Sequence, residues 1–415
     1  MLLRMATRVG GLLIPRRNLW ANRPAAYTLE RFVNFPFLDG FRGMLAIWVF
    51  VYHATHFAGG SLDIIPPGAA AVDLFMMVSG FLMAGNYHAR IKVEPWESSR
   101  TWLIFYTRRF FRIAPLYYIA LFVALLLANQ YSFYSDFVAR AFPPPWIEKL
   151  TFDPPHREFS ILDTLLHISF LFGFVPSHAS NNVLPDWSLA LEMQFYAAFP
   201  FVILFMRRFG FLPLAALSVT LFVASKLLIG VYLAEPKLFG TFPQPSLLPL
   251  KLNCFMVGIL IAEAHYCPKP KMVDGLLATA LGLAFLRQNY YFSVLAVVFM
   301  LLVMTPIWKP PVIAKTIVEY LSLFFSSRVA RHIGDISYGV YLLHMLVLLP
   351  VAYWLTTQGW YVQQTAATRS IMLSVVAFVP IYLASLASHM LIEQPFIAYG
   401  REVVKRERNS LGVAH

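Results

Sequence analysis

The chain has 415 residues, of which 59% are hydrophobic and only 13% charged, and its formal net charge is +12. A soluble domain carries about twice that charged fraction, so composition excludes a soluble globular protein and predicts an all-α, polytopic protein embedded in the lipid bilayer. The two cysteines, Cys254 and Cys267, suit neither a disulfide framework nor a thiolate metal site, so no metal centre and no permanently bound cofactor is expected.

Residues 1–36 are Arg-rich and nearly free of acid. They read as a basic cytoplasmic arm, and the same composition suits a transit peptide. Residues 37–396 are expected to form one membrane domain, followed by a basic cytoplasmic tail at 397–415. About ten spans are predicted from apolar runs of membrane-crossing length: 40–57, 68–87, 113–129, 187–206, 211–233, 249–266, 273–287, 290–308, 332–357 and 369–394. With the N-terminus inside, Arg90, Arg100, Arg108, Arg109, Arg112, Arg207, Arg208, Arg328, Arg331, Arg401 and Lys405 fall on the cytoplasmic side. Arg140, Lys149, Arg157, Lys237 and Arg287 fall opposite. That asymmetry predicts cytoplasmic termini and accounts for the basic excess, so nucleic-acid binding is not expected.

The first span lies in FLDGFRGMLAIWVFVYHATHF, where eleven residues separate Arg42 from His53. At about 100° per residue this is roughly three turns, so the two side chains share a helix face about 16 Å apart along the axis. Ionisable groups at such depths usually mark a substrate path or catalytic site. Taken singly, Arg42 also reads as a snorkelling residue and His53 as an interhelical hydrogen bond. A neutral imidazole in an apolar site has the chemistry of a general base.

The second span, GAAAVDLFMMVSGFLMAG at 68–85, carries Asp73 in its outer part and Ser79 and Gly80 where helices approach closely. Asp73 also reads as a helix N-terminal charge favoured by the dipole. In TRRFFRIAPLYY at 107–118, Arg109 and Arg112 stand i, i+3 on one face. Paired guanidinium donors favour phosphate, and a phosphate-rich cytoplasmic donor such as a coenzyme A thioester fits them; a positive-inside cluster is the alternative.

Residues 130–186 form the longest extramembrane stretch, on the outer side, broken by FPPPW and FDPP. Within it, the run at 160–175 is too short for a full span and is expected as a re-entrant or interfacial helix. LPDWSLALEMQFYAAFP at 184–200 comes next, with Glu192 inside the fourth span. A carboxyl there is costly unless paired or wetted. GDISYGVYLLHMLVL at 334–348 carries Tyr341 and His344 at a depth near that of His53. The tenth span ends in HMLIEQPF, where Glu393 is expected to pair with cytoplasmic arginines. Together, His53, Asp73, Glu192 and His344 fall between midplane and outer edge, and Arg42, Arg109 and Arg112 at the inner edge. One tunnel joining a cytoplasmic donor site to an outer acceptor site is the joint expectation.

Six ordered blocks carry a resemblance: LDGFRG at 38–43 with His53 beyond it, VDLFMMVSGF at 72–81, RFFRIAPLYY at 109–118, WSLALEMQFY at 187–196, ISYGVYLLH at 336–344 and IEQPF at 392–396. The chain resembles the acyltransferase-3 family of integral membrane O-acyltransferases. The resemblance implies transfer of an acyl group, acetyl by default, from acyl-CoA to a hydroxyl, mostly on carbohydrates at the cell surface. It implies His53 as the catalytic histidine, Arg42, Arg109 and Arg112 as donor-site arginines, and an acidic position at Glu192, which is expected as a second catalytic residue, a carboxylate that orients His53. A glycan or glycolipid acceptor and a bacterial inner membrane are implied on the same grounds. O-acylation of a small molecule or lipid stays open. So does a non-enzymatic transporter or flippase, although transporters often show internal repeats and none is evident in the sequence.

Overall fold

The structure, a computed structural model, describes residues 35–60, 66–142, 160–175, 178, 182–232, 246–287, 289–305, 307 and 312–409. The basic arm 1–36 lies, apart from its last two residues, outside the described residues. Among the described residues the chain is all-helical. The helices are α1 (Phe37–Phe57), α2 (Gly68–Arg90), α3 (Ser99–Leu126), α4 (Ala128–Ala141), α5 (Ile161–Ile168), α6 (Trp187–Phe209), α7 (Phe211–Tyr232), α8 (Leu252–Tyr266), α9 (Pro270–Leu286), α10 (Tyr290–Met304), α11 (Val312–Phe325), α12 (Arg328–Asp335), α13 (Ser337–Thr356), α14 (Gly359–Val362), α15 (Ala366–Ser388) and α16 (Gln394–Asn409), with a π turn at His389–Glu393.

Each of the ten expected spans falls on a helix, but among the described residues six helices are long and apolar enough to cross a membrane: α2, α3, α6, α7 over Phe211–Leu228, α13, and the continuous helix Ala366–Glu407. α8 and α10 are apolar but have 15 residues each, about 22 Å at 1.5 Å per residue, short of the roughly 30 Å hydrocarbon core. In α8 every residue is buried. It is a central helix sheathed in protein, which is why it reads from sequence as a span.

Boundaries differ where polar segments continue a helix. The third span begins at Ser99 rather than 113, so Arg108, Arg109 and Arg112 all ride on α3. Part of the expected outer loop is α4, which packs on α13 through the Tyr131 hydroxyl donating to Leu346 O at 2.9 Å and through the Tyr134 and Tyr353 rings stacked at 4.7 Å. Residues 397–409 of the expected tail are helical, with α16 packed on α3. The 160–175 run folds as α5, capped by a Ser160–Asp163 box and stopped at Phe170, whose φ of 58° is left-handed. A 3-10 turn, Leu171–Phe174, comes after it. Ile161, Leu162, Leu165 and Ile168 are exposed, while Asp163 and His167 face inward. Eight residues span about 12 Å, too little to cross a bilayer.

Close backbone contact fixes the helices that carry the site. α2 and α8 cross where Gly80 meets Phe255 and Gly258 meets Met77. A Cβ at Gly258 would stand 1.8 Å from Met77 O, and one at Gly80 would stand 2.1 Å from Phe255 O. Small residues at crossings are how membrane helices approach without a hydrophobic driving force. α1 rests on α12 in the same way, with Gly334 against Asp39 O, and also packs on α13 and α15. Arg42 and His53 are therefore held at opposite ends of one clamped helix.

Candidate active site

The histidine end is built by α1 and α13. His344 is fully buried, and its Nδ1 lies 2.7 Å from Tyr341 O. A carbonyl only accepts, so this nitrogen carries the proton, and Nε2 of neutral His344 is left as an acceptor. Nε2 lies 3.1 Å from His53 Nδ1, which is also 3.0 Å from Val49 O. Both neighbours of His53 Nδ1 are then acceptors, so His53 is protonated there. Its Nε2 keeps the basic lone pair and has no hydrogen-bond partner among the described residues.

Tyr341 continues the wall. Its hydroxyl donates to Pro185 O at 3.0 Å and meets Ser188 Oγ at 2.6 Å. Beside Pro185, Asp186 is buried and accepts from Asn182 Nδ2 at 2.8 Å and the Tyr117 hydroxyl at 3.2 Å, with His167 Nε2 at 3.7 Å. Burial raises the Asp186 carboxyl above its ordinary range, and His167, Asn182 and Tyr117 each draw it back down. These contacts tie the segment after α5 to the head of α6.

The arginine end has a different chemistry. On α3, Arg108 is held by both carboxylate oxygens of Glu94, at 2.7 and 2.8 Å, and Arg90 approaches the same group at 3.7 Å. Arg42, Arg109 and Arg112 have no carboxylate within 4.0 Å among the described residues. Arg109 instead lies over the Phe105 and Tyr196 rings, 5.7 Å from each centroid. All three line a cavity of about 380 Å³ that Arg90, Arg108 and Arg401 also enter. Asp39 and Glu192 line it too, so six guanidiniums face two carboxylates around this void, and guanidinium groups are suited to paired contacts with phosphate oxygens.

A narrower cavity of about 80 Å³ runs from Arg42 past Ser79, Glu192, Ser188 and Tyr338 to Tyr341. The His53 and His344 rings do not line it; its wall stops at Tyr341, one helical turn from His344. A third cavity, of about 200 Å³, lies beside Arg42 and Arg112 and reaches Asp335, His389 and Glu393. Arg42 and Glu192 line all three, so they mark the junction.

Glu192 accepts from Ser79 Oγ at 2.9 Å and from the Tyr196 hydroxyl. The expectation that a carboxylate such as Glu192 orients His53 is corrected, because the hydrogen bonds of His53 go to Val49 and His344. Ser188, Glu192 and Tyr196, spaced by four on α6, share a face; that spacing was the sequence signal for Ser188, which sequence reasoning passed over. Tyr338 carried the same kind of signal, standing i, i+3 from Tyr341 on α13.

Asp73 is not brought to these cavities. It is fully buried and held by Lys251 Nζ and by Arg287 at 2.9 and 3.1 Å. A lysine inside the sixth predicted span was the overlooked signal, since a buried ammonium needs a counter-charge. Asp73→Ala leaves two cations without it and is expected to cost about 3–5 kcal/mol. A thermal melt of the purified variant checks this; an unchanged midpoint would remove the structural role.

The helical bundle, with six helices among the described residues long and apolar enough to cross a membrane, defines an integral membrane protein. The chain belongs to the acyltransferase-3 family, whose profile, described as an acyltransferase domain, matches residues 35–392. It is 26% identical over 371 residues to the peptidoglycan O-acetyltransferase OatA of Listeria monocytogenes, covering 83% of this chain and 53% of that protein. The chain thus spans about half the length of that relative. It is also 26% identical over 357 residues to the exopolysaccharide production protein ExoZ of Rhizobium meliloti, covering 85% of this chain and 95% of ExoZ. A third relative, protein 2 in the picA locus of Rhizobium radiobacter, is 33% identical over 174 residues, covering 41% of this chain and 81% of that protein. No solved structure matches the chain significantly.

Proposed function

We propose that the protein transfers a short acyl group, acetyl by default, from acyl-CoA to a hydroxyl of a surface or exported glycan or glycolipid. The observation that carries this reading is the set of three arginines without carboxylate partners, joined by a hydroxyl-lined passage to the wall of a histidine pair. Arg42, Arg109 and Arg112 would hold the donor's phosphates, with both termini and the arginine end on the cytoplasmic side of a bacterial inner membrane. The names of the relatives, a peptidoglycan O-acetyltransferase and an exopolysaccharide production protein, favour a glycan over a small-molecule or lipid acceptor. Membership of an acyltransferase family weighs against a transporter.

In this mechanism His53 Nε2 takes the proton of the acceptor hydroxyl as its oxygen bonds to the thioester carbonyl carbon. Collapse of the tetrahedral adduct breaks the carbon–sulfur bond, and the CoA sulfur leaves with that electron pair and receives the proton from His53. His344 fixes the His53 tautomer and ring plane. Glu192 holds Ser79 and Tyr196 at the junction through which the acyl arm passes. A route through an acyl-enzyme differs in leaving label on the protein before acceptor is added. The test is incubation of purified protein with radiolabelled acetyl-CoA, with and without a crude glycan extract. Acceptor-dependent label transfer is the expected result. Absence of both transfer and acetyl-CoA binding would overturn the donor.

A further inference from the structure

The third cavity differs from its neighbour in electrical sign. The 380 Å³ cavity is lined by six arginines and two carboxylates. The 200 Å³ cavity beside it is lined by four carboxylates, Asp39, Glu192, Asp335 and Glu393, against Arg42, Arg112 and His389. Asp39 and Asp335 are exposed, and Glu192 is occupied by Ser79 and Tyr196. Glu393 stands apart, with its side chain only 7% exposed and its Oε1 buried without a hydrogen-bond partner. Its Oε2 is 3.8 Å from His389 Nδ1, too far for a hydrogen bond.

The backbone accounts for where Glu393 is held. α15 and α16 run on as one helix through the π turn His389–Glu393. Such a turn carries one extra residue and so rotates the helix beyond it by about 100°. Glu393 closes that turn and lines the cavity, while Leu391 and Met390 beside it are exposed. π turns in long helices recur at functional sites. A buried acceptor left without a donor costs about 1–3 kcal/mol or more; Ser388 interacts with the carboxyl, but its hydroxyl donates to Ser385 O at 2.9 Å, and Oε1 has no hydrogen-bond partner among the described residues. An arriving ligand would supply that donor.

Phosphates fit the arginine cavity and are opposed by the carboxylates next to it. The part of a phosphorylated donor that fits beside Glu393 is therefore uncharged and rich in O–H or N–H. We propose that Glu393 is a specificity residue that accepts a hydrogen bond from an uncharged hydroxyl or N–H of the acyl donor while the arginines hold its phosphates. This rests on the acyl-CoA reading of the site. In such a donor the chemistry has two sources, the nucleoside and the pantetheine arm.

The test is calorimetric binding of CoA, adenosine 3′,5′-bisphosphate and 4′-phosphopantetheine to the full-length wild type, Glu393→Ala and Glu393→Gln. The expected result is a loss of about tenfold in CoA affinity in Glu393→Ala, the scale of one hydrogen bond to a charged group. The same loss should fall on one fragment alone, identifying which part of the donor is read. Unliganded Glu393→Gln should melt near wild type, since it keeps the acceptor oxygen and gives up only the longer-range attraction of Arg112 and Arg42, and it serves as the reporter if the Ala variant misfolds. Unchanged affinity for all three ligands overturns the proposal. Tighter binding of all three also overturns it, because Glu393 would then be only a counter-charge to the arginines. If wild type binds none of them, the donor reading itself falls and takes this inference with it; that arm is decided before any variant is measured.

Discussion

His53→Ala is expected to lower acyl transfer by about 10³-fold or more, within the range for loss of a general acid–base group, while leaving donor affinity unchanged. The separation comes from α1, which places Arg42 and His53 eleven residues apart, about 16 Å along the axis. The proposed phosphate site and the proposed proton-transfer site are therefore expected to fail independently. The measurement is kcat with acetyl-CoA and acceptor, alongside equilibrium CoA binding. Near-normal turnover would remove His53 as the base. The His344→Ala variant should lower kcat with little change in KM, because it removes one of the two acceptors, the other being Val49 O, that hold the His53 proton on Nδ1 and fix its ring. That pattern marks a positioning residue. A loss equal to that of His53→Ala would assign His344 a direct part.

Arg112→Ala is expected to raise the KM for acyl-CoA by about tenfold or more, the scale of a charge-assisted contact of roughly 1.5 kcal/mol, with kcat nearly unchanged. Arg112 is exposed and has no ion pair among the described residues, so its removal breaks nothing in the fold. Arg112→Lys should restore only part of the affinity, because an ammonium cannot offer two parallel donors. The contrast is Arg108, four residues before Arg112 on the same helix. Its guanidinium is spent on Glu94, so Arg108→Ala should lower thermal stability more than donor affinity. Equal effects of Arg108→Ala and Arg112→Ala on KM would show that the cavity does not distinguish bound from free arginines.

The two arginines illustrate where sequence reading stops. Both lie in TRRFFR on α3, and because they stand i, i+4 they share a helix face, so periodicity alone does not tell them apart. The difference is decided by Glu94, in the connection before α3, whose position no periodicity records. Asp73 is a sharper case. Its outer position in α2 suggested a polar path, but its partners Lys251 and Arg287 come from 178 and 214 residues away. They convert it from an available carboxylate to a closed ion triad.

By itself, the sequence determined the class of the protein, because 59% hydrophobic and 13% charged residues leave too little polar surface for a water-soluble fold of this length. It also determined the features that depend on one helix at a time. Arg42 and His53 on a single α1, and Glu192 and Tyr196 on one face of α6, come from a 3.6-residue period that every α-helix obeys. Only the tertiary structure decided which of these groups meet. The His53–His344 contact joins residues 291 apart, and Glu393 reaches its cavity through a π turn that shifts the helical phase. Local periodicity fixes the direction of a side chain on its own helix. Its partner is set by how helices cross, and that depends on close approaches such as Gly80 on Phe255 and Gly258 on Met77, which are properties of packed pairs rather than of any one segment.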